Sequence, residues 1–250
     1  MTYEQMAYYY DQLMEDAPYD DWIDFTGQTI RSCGKDIDSI VDLGCGTGQI
    51  TTRLSQLGYR MTGVDNSGAM LSVAEQRASQ IDVPVQWLQQ DLRELNGIVD
   101  QDMAISFCDV INYITKEEDV YTVFENAASV LKQGGLFVFD VHSLFHVEHH
   151  LVNQTFAVVS DDISYIWFCQ EGDGPGDMYH DLTFFVRDQE QFNRFDEWHH
   201  QRTFSIDFYN QALKQAGFDI QSVSADFSLH PNDHENEAER LFITAVKRSE

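Results

Sequence analysis

Positively charged residues are scarce in this chain. Its 15 lysines and arginines face 42 aspartates and glutamates, for a formal net charge of −27. Affinity for nucleic acid comes largely from Lys and Arg neutralising phosphates, so this balance disfavours DNA or RNA as a substrate. It disfavours an anionic membrane surface equally. Cysteine is sparse too: Cys33, Cys45, Cys108 and Cys169 form no C-x-x-C pair. That excludes a disulfide framework and predicts reduced thiols in a cytoplasm. No apolar run approaches the roughly 18 residues of a membrane span, and no charged-then-apolar leader opens the sequence, so a soluble, cytoplasmic protein is expected. A Ser-His-Asp elbow, a Walker lysine, internal repeats and low-complexity segments are also missing. A length of 250 residues is enough to bury one full core, and a single α/β domain over 1–250 is expected.

What the chain does have is organised around Val41-Asp42-Leu43-Gly44-Cys45-Gly46-Thr47-Gly48-Gln49. The apolar run from Ser39 to Leu43 predicts a buried strand, and three glycines at alternate positions then lead into a helical pattern. Glycine is required where backbone passes within contact distance of a ligand, or takes torsions that a Cβ forbids. Between a strand and a helix, such a loop lets a cofactor lie over the strand's carboxyl end, beside the helix N-terminus. The spacing is G-x-G-x-G. The dinucleotide fingerprint G-x-G-x-x-G needs a glycine at 49, where this chain has Gln49, which disfavours a nicotinamide oxidoreductase. Asp65 ends the next predicted strand, Tyr59 to Val64, where a carboxylate accepts from both hydroxyls of a ribose.

Asp42-Leu43-Gly44-Cys45-Gly46-Thr47-Gly48 resembles motif I of the class I S-adenosylmethionine-dependent methyltransferases. Gly63-Val64-Asp65-Asn66-Ser67 is similar to that family's acidic second motif, Gln90-Asp91-Leu92 to its third, and residues 107–113 to its fourth. Together they cover roughly residues 39–141. The resemblance implies a doubly wound, Rossmann-like α/β sheet of order 3-2-1-4-5-7-6 with the last strand antiparallel. It implies S-adenosyl-L-methionine as cofactor, held by Gly44, Gly46, Gly48, Asp65 and Asn66, with Met70 near the adenine plane. Asp91 would accept from the adenine amine and the Leu92 backbone would meet the ring edge. Cys108 would border the space between cofactor and substrate. Residues 1–32 would form a helical lid, with Tyr10 and Trp22 near the cofactor's methionine end.

The spacing of apolar residues predicts helices over Tyr3–Met14 and from a cap at Asp20-Asp21 to Ser32, then over Gln49–Leu57 and Ser67–Gln80. Thr115-x-x-Glu118 reads as a capping box opening a helix that Gly134-Gly135 ends, before a strand over Leu136–Val141. A helix capped by Ser205 precedes two last strands, and an acidic loop, His230 to Glu239, joins those strands. Between residues 154 and 204 the period changes to two. Ile163–Cys169, Tyr179–Val186 and Phe192–Phe204 alternate around a turn at Gly172 to Asp177, which predicts an inserted antiparallel cap.

Eleven aromatic residues fall between 156 and 204. They are expected to wall an acceptor pocket, the competing account being a dimer interface. Glu197, His199 and Gln201 should share one face of their strand, with Trp198, His200 and Arg202 on the other. His142, directly after the fifth strand, and Arg202, as a clamp for a carboxylate, are the substrate-side candidates. His142, His146 and His150 share a helical face, but no cysteine pair or H-E-x-x-H accompanies them, so no metal is expected. The expected reaction is methyl transfer to a small-molecule N or O acceptor. A protein or RNA acceptor, or a non-catalytic adenosyl-binding role, are the alternatives.

Overall fold

The buried stretch SIVDL forms β1 (Ser39–Leu43), apolar enough to be covered on both faces as a central parallel strand must be. The computed structural model describes residues 6–229 and 237–249. Tyr3 and residues 230–236 of the acidic loop lie outside the described residues. In chain order the elements are α1 (Met6–Leu13), α2 (Tyr19–Cys33), β1, α3 (Gln49–Gln56), β2 (Arg60–Asp65), α4 (Gly68–Gln80) and β3 (Val85–Gln89). Then come β4 (Gln101–Ser106), α5 (Glu117–Val130), β5 (Leu131–His142) and α6 (Leu144–His146), which runs on into a π-helical turn, Val147–Leu151. Four strands follow, β6 (Gln154–Val158), β7 (Ile163–Glu171), β8 (Asp177–Asp188) and β9 (Gln191–Arg202), and the chain ends with α7 (Ile206–Gln215), β10 (Phe218–Ala225) and β11 (Arg240–Lys247).

The larger sheet has seven strands in the order β3-β2-β1-β4-β5-β11-β10. Its first five strands are parallel, and β11 runs antiparallel to both neighbours. This is the expected order, with the expected antiparallel last strand. One face packs Phe124 of α5 and Tyr209 of α7 onto Phe137 and Phe139. The other packs Trp22 and Phe25 of α2, with Ile50 and Leu54 of α3, onto Ile40, Met103 and Phe242.

The second sheet, β6-β7-β8-β9, is antiparallel throughout. It has one strand more than the sequence pattern predicts. β6 (QTFAV) is mostly exposed, so it carries no alternation of burial that periodicity could find.

Three boundaries differ from expectation. α2 takes Pro18 as N-cap, with no side-chain cap bond, and Asp20 and Asp21 lie within its first turn. α5 starts from Lys116 and not from a Thr115 capping box. Glu117, Glu118 and Asp119 instead place negative charge on the unpaired N–H groups of its first turn. The same helix stops at Val130, because Leu131 already pairs with Gln101 of β4, and Gly134-Gly135 falls inside β5.

Candidate functional site

The loop after β1 folds back onto β2, with the Gly44 and Cys45 amides donating to the Val64 carbonyl at 2.8 and 2.9 Å. Gly44 has φ of 86°, and a Cβ there would lie 2.4 Å from Val110, so torsion and packing both demand glycine. Gly48 is glycine for the same two reasons: its φ is 75°, and a Cβ there would lie 2.8 Å from Trp87 and 2.9 Å from Ala74. A Cβ on Gly46 would meet nothing within 4 Å. The Gly46 amide donates to Asp65 Oδ2 at 2.9 Å, and the Ser67 amide donates to Oδ1 at 2.8 Å. A carboxylate offers about four lone-pair positions, so each oxygen keeps capacity for a ribose hydroxyl. Burial pushes the Asp65 carboxyl up, against the pull of those amides.

These residues border a cavity of about 570 Å³. Gly44, Gly46, Asp65, Asn66, Met70, Asp91, Leu92 and Cys108 all line it, as do Tyr10 and His142. Asp91 is also tied to Arg93, accepting from its Nη2 at 2.6 Å, and that hydrogen bond holds the carboxyl below its usual range. Gly48, Trp22 and Arg202 are not brought to this cavity. Trp22 is buried in the core, donating its indole N–H to Asp140 Oδ2 at 2.7 Å. A buried indole needs such an acceptor, and the need has drawn Trp22 to the sheet. Arg202 lies on the opposite face of β9, its guanidinium 4.5 Å above the Phe204 ring.

α1 is fastened over the glycine loop by Asp11. Asp11 Oδ1 accepts from Thr47 Oγ1 at 2.7 Å and from Gln49 Nε2 at 3.0 Å, while Oδ2 pairs with Arg77. The helix therefore brings Tyr10, and Met14 after it, to the cavity wall. Tyr19 of α2 lines the cavity as well, and among the described residues nothing partners its buried hydroxyl.

The far half of the cavity is made by the β4–β5 edge and the inner face of the second sheet. As alternation requires, Glu197, His199 and Gln201 are buried, while Trp198 is 53% exposed. His199, Gln201, His180, Leu182 and Trp167 line the cavity from this sheet, facing His142 and Tyr113. A hydrogen-bond chain joins the two sheets. The Trp167 indole, which only donates, gives its N–H to His180 Nδ1 at 2.9 Å. The His180 proton is thereby assigned to Nε2, which meets Gln201 Oε1 at 3.0 Å. The Gln201 amide then donates to Asp109 Oδ2 at 2.8 Å. Burial pushes His180 down, in keeping with a neutral ring.

Asp109, at φ 52° just past β4, anchors this chain. Its Oδ1 accepts from Arg240 Nη2 at 3.1 Å, and Arg240 Nη1 lies 3.2 Å from Asp140 Oδ2. One largely buried guanidinium thus serves two carboxylates, Asp140 fully buried and Asp109 partly so. Burial alone would lift the Asp109 carboxyl, but its charged and hydrogen-bonding neighbours hold it below the usual range. Asp140 is raised by its burial. Burial takes His142 down to about 3, with Arg240 adding to the effect. His142 is therefore neutral near pH 7, and Arg240 is the charge that keeps Asp109 ionised. Burial likewise takes His199 down to about 4. Asp140, Arg240, His180 and Asp11 went unmarked in the sequence because each is separated by many residues from its partners.

His142, His146 and His150 stack in series at 5.5 and 5.7 Å between ring centroids. Among the described residues no cluster of three or more side chains could hold a metal ion. None of the described helices is long and apolar enough to cross a membrane.

A family model described as a methyltransferase domain matches residues 40–135. The chain is 40% identical over 249 residues to a provisionally named methyltransferase of Geobacillus sp. (strain WCH70), covering 99% of this chain and 100% of that one. It is 41% identical over 248 residues to YqeM of Bacillus subtilis (strain 168), likewise provisionally named a methyltransferase, covering 99% and 98%. Its fold matches that of an S-adenosylmethionine-dependent methyltransferase from Clostridium acetobutylicum ATCC 824 with a TM-score of 0.89, at 29% identity over 99% of both chains. CalS10, an amino pentose methyltransferase from Micromonospora echinaspora, shares the fold at a TM-score of 0.77 and 16% identity over 96% of both chains.

Proposed function

The chain belongs to the class I S-adenosylmethionine-dependent methyltransferases, and from that membership we propose that it methylates a small molecule docked against the inner face of the second sheet. The observation that carries this reading is the continuity of one cavity, from Gly46 and Asp65 at one end to His142, His180 and His199 at the other. A cofactor bound at the first end supplies an activated methyl group on a sulfonium, already electrophilic enough to need no metal.

The chain's own residues fit that cofactor. Open space above Gly46, the Asp65 carboxylate with spare acceptor capacity, and the Met70 and Leu92 side chains on the cavity wall suit ribose and adenine respectively. The lone Tyr19 hydroxyl suits a polar group at the methionine end. The remaining task is alignment, which alone lowers a barrier by on the order of 7–11 kcal/mol. Tyr113, His142 and His199 orient the acceptor, and α1 with Tyr10 closes over the cofactor to exclude water. Burial leaves His142 too weakly basic to take a proton readily, so an acceptor that brings its own lone pair suits the site best. Residues 154–204 act as the cap that chooses the acceptor, and α1 as the lid.

Incubating the protein with methyl-labelled cofactor and a fractionated cell extract tests the reading. Label is expected in the small-molecule filtrate. Label confined to precipitable protein or RNA would overturn it, an RNA acceptor being further disfavoured by the charge of −27.

A further inference from the structure

Asp11 fastens α1 to the glycine loop, but the same helix also touches the second sheet. The ring of Tyr9 stacks on Phe195 of β9, with centroids 6.1 Å apart and planes inclined by 24°. Phe195 in turn stacks on Phe184, its ladder partner on β8, at 5.0 Å, and Tyr165 of β7 packs on Phe184 at 5.9 Å. Ring pairs roughly 4.5–7 Å apart attract beyond what the area they bury supplies. Alternation puts Phe195 on the same face of β9 as His199 and Gln201. Neither Tyr9 nor Phe195 is among the described residues that line the cavity.

α1 is only eight residues long. A helix that short is marginal on its own in water, so what it docks on decides where it sits. Asp11 binds it to Thr47, Gln49 and Arg77 of the parent fold, and Tyr9 binds it to the cap. Tyr10, between those two residues, reaches the cavity wall. Lifting the helix off the cofactor end therefore means parting a polar contact and an aromatic one. The ion pair within the polar contact is partly exposed, and such pairs hold weakly. That leaves the aromatic contact a substantial share of the closure.

We propose that Tyr9 and Phe195 form a latch between lid and cap, and that this latch sets how long S-adenosylhomocysteine, the demethylated cofactor, stays bound. The proposal rests on the reading of α1 as the lid and adds the residue on which that lid closes. Phe195 acts through α1, so it is a positioning residue. The second sheet then serves both ends of the site, walling the acceptor with His199 and Gln201 and holding the lid with Phe195.

Chasing labelled S-adenosylhomocysteine from the full-length protein with an excess of unlabelled ligand tests it, the readout being the release rate. Phe195→Ala should speed release by about threefold or more, the scale of one aromatic pair, and so should Tyr9→Ala. The double variant should release no faster than either single one, because both substitutions remove the same contact. Phe195→Tyr keeps a ring and should stay near the wild-type rate. Trp198→Ala, on the outer face of the same strand, should leave the rate unchanged. Thermal melts establish that each variant folds, and Tyr9→Ala carries the test alone if Phe195→Ala does not. A wild-type rate in the folded alanine variants, effects that add in the double variant, or equal acceleration by Phe195→Tyr or Trp198→Ala would each overturn the latch. Asp11→Ala separates latch from lid. Faster release there, with none from Tyr9→Ala or Phe195→Ala, sinks the latch alone; no change in any of the three sinks the lid as well. Failure of the wild type to bind S-adenosylhomocysteine sinks the cofactor site itself.

Discussion

Gln201 of the second sheet donates to Asp109 of the parent sheet at 2.8 Å, across 92 residues of chain. This bond ties the acceptor wall to the edge of β4, and Arg240 holds the other oxygen of the same carboxylate.

Removing Arg240 should therefore be severe. Arg240→Met would leave the buried Asp140 and the partly buried Asp109 with no guanidinium between them, and breaking a buried pair this way costs about 3–5 kcal/mol. The pH dependence has a definite sign. Without Arg240 the folded-state values of both carboxyls rise above their unfolded ones, so stability is present at low pH and lost as pH rises through the raised values. Denaturant melts should show the variant closest to wild type in mild acid and furthest from it above neutrality. A deficit independent of pH would contradict this account.

Asp42 makes a milder case. It is buried beneath the glycine loop, accepts from Thr51 Oγ1 at 2.5 Å, and burial raises it to about 7. A raised carboxyl stabilises below its unfolded value, about 3.9, and that contribution is lost as pH rises through about 7. Asp42→Asn keeps an acceptor for Thr51 and removes the titration. The variant should gain on the wild type between pH 4 and 8, and parallel stability profiles would show that Asp42 titrates elsewhere.

Asp65→Ala should weaken S-adenosylhomocysteine binding by about 1–3 kcal/mol, since buried hydroxyls would lose their acceptor and the Gly46 amide its partner. Asp65→Asn should lose less, because one oxygen still accepts. Calorimetry reads both, and unchanged affinity in the alanine variant would mean that the ribose lies elsewhere.

Trp167→Phe should raise the pKa of His180. In the wild type, protonating Nδ1 would set it against the indole N–H that now donates to it. With phenylalanine that nitrogen is free to take a proton, while burial still opposes the charge. An NMR titration of the His180 ring should show the upward shift; an unchanged value would leave burial as the sole cause.

Asp11→Ala should loosen α1, because the Asp11 carboxylate accepts from Thr47 and Gln49 at the glycine loop. The pair with Arg77 is partly exposed, with side chains 24% and 30% accessible, so the loss should be modest, on the order of 1 kcal/mol. Faster amide exchange over residues 6–13 with unchanged global stability is the expected signature, and unaltered exchange would mean that packing alone holds the helix.

The sequence by itself determined the strands and helices of the parent fold and the glycine loop that borders the cavity. The reason is that both are local: glycines at alternate positions, an acidic residue ending the next strand, and short apolar runs between helical patterns each write their structure within a few residues. Period two likewise revealed the second sheet and told its inner face from its outer one. Tertiary structure decided what local pattern does not encode. Trp22 has the residue type expected over a cofactor, but its indole found Asp140 in the core, 118 positions away. Arg202 had the charge of a substrate clamp and the wrong parity on its strand for the role. The arrangement of Asp109, Arg240, Gln201 and His180 draws one member from each of four separate stretches of chain. Its protonation states follow from burial and mutual distance, and neither exists until the two sheets have closed on one another.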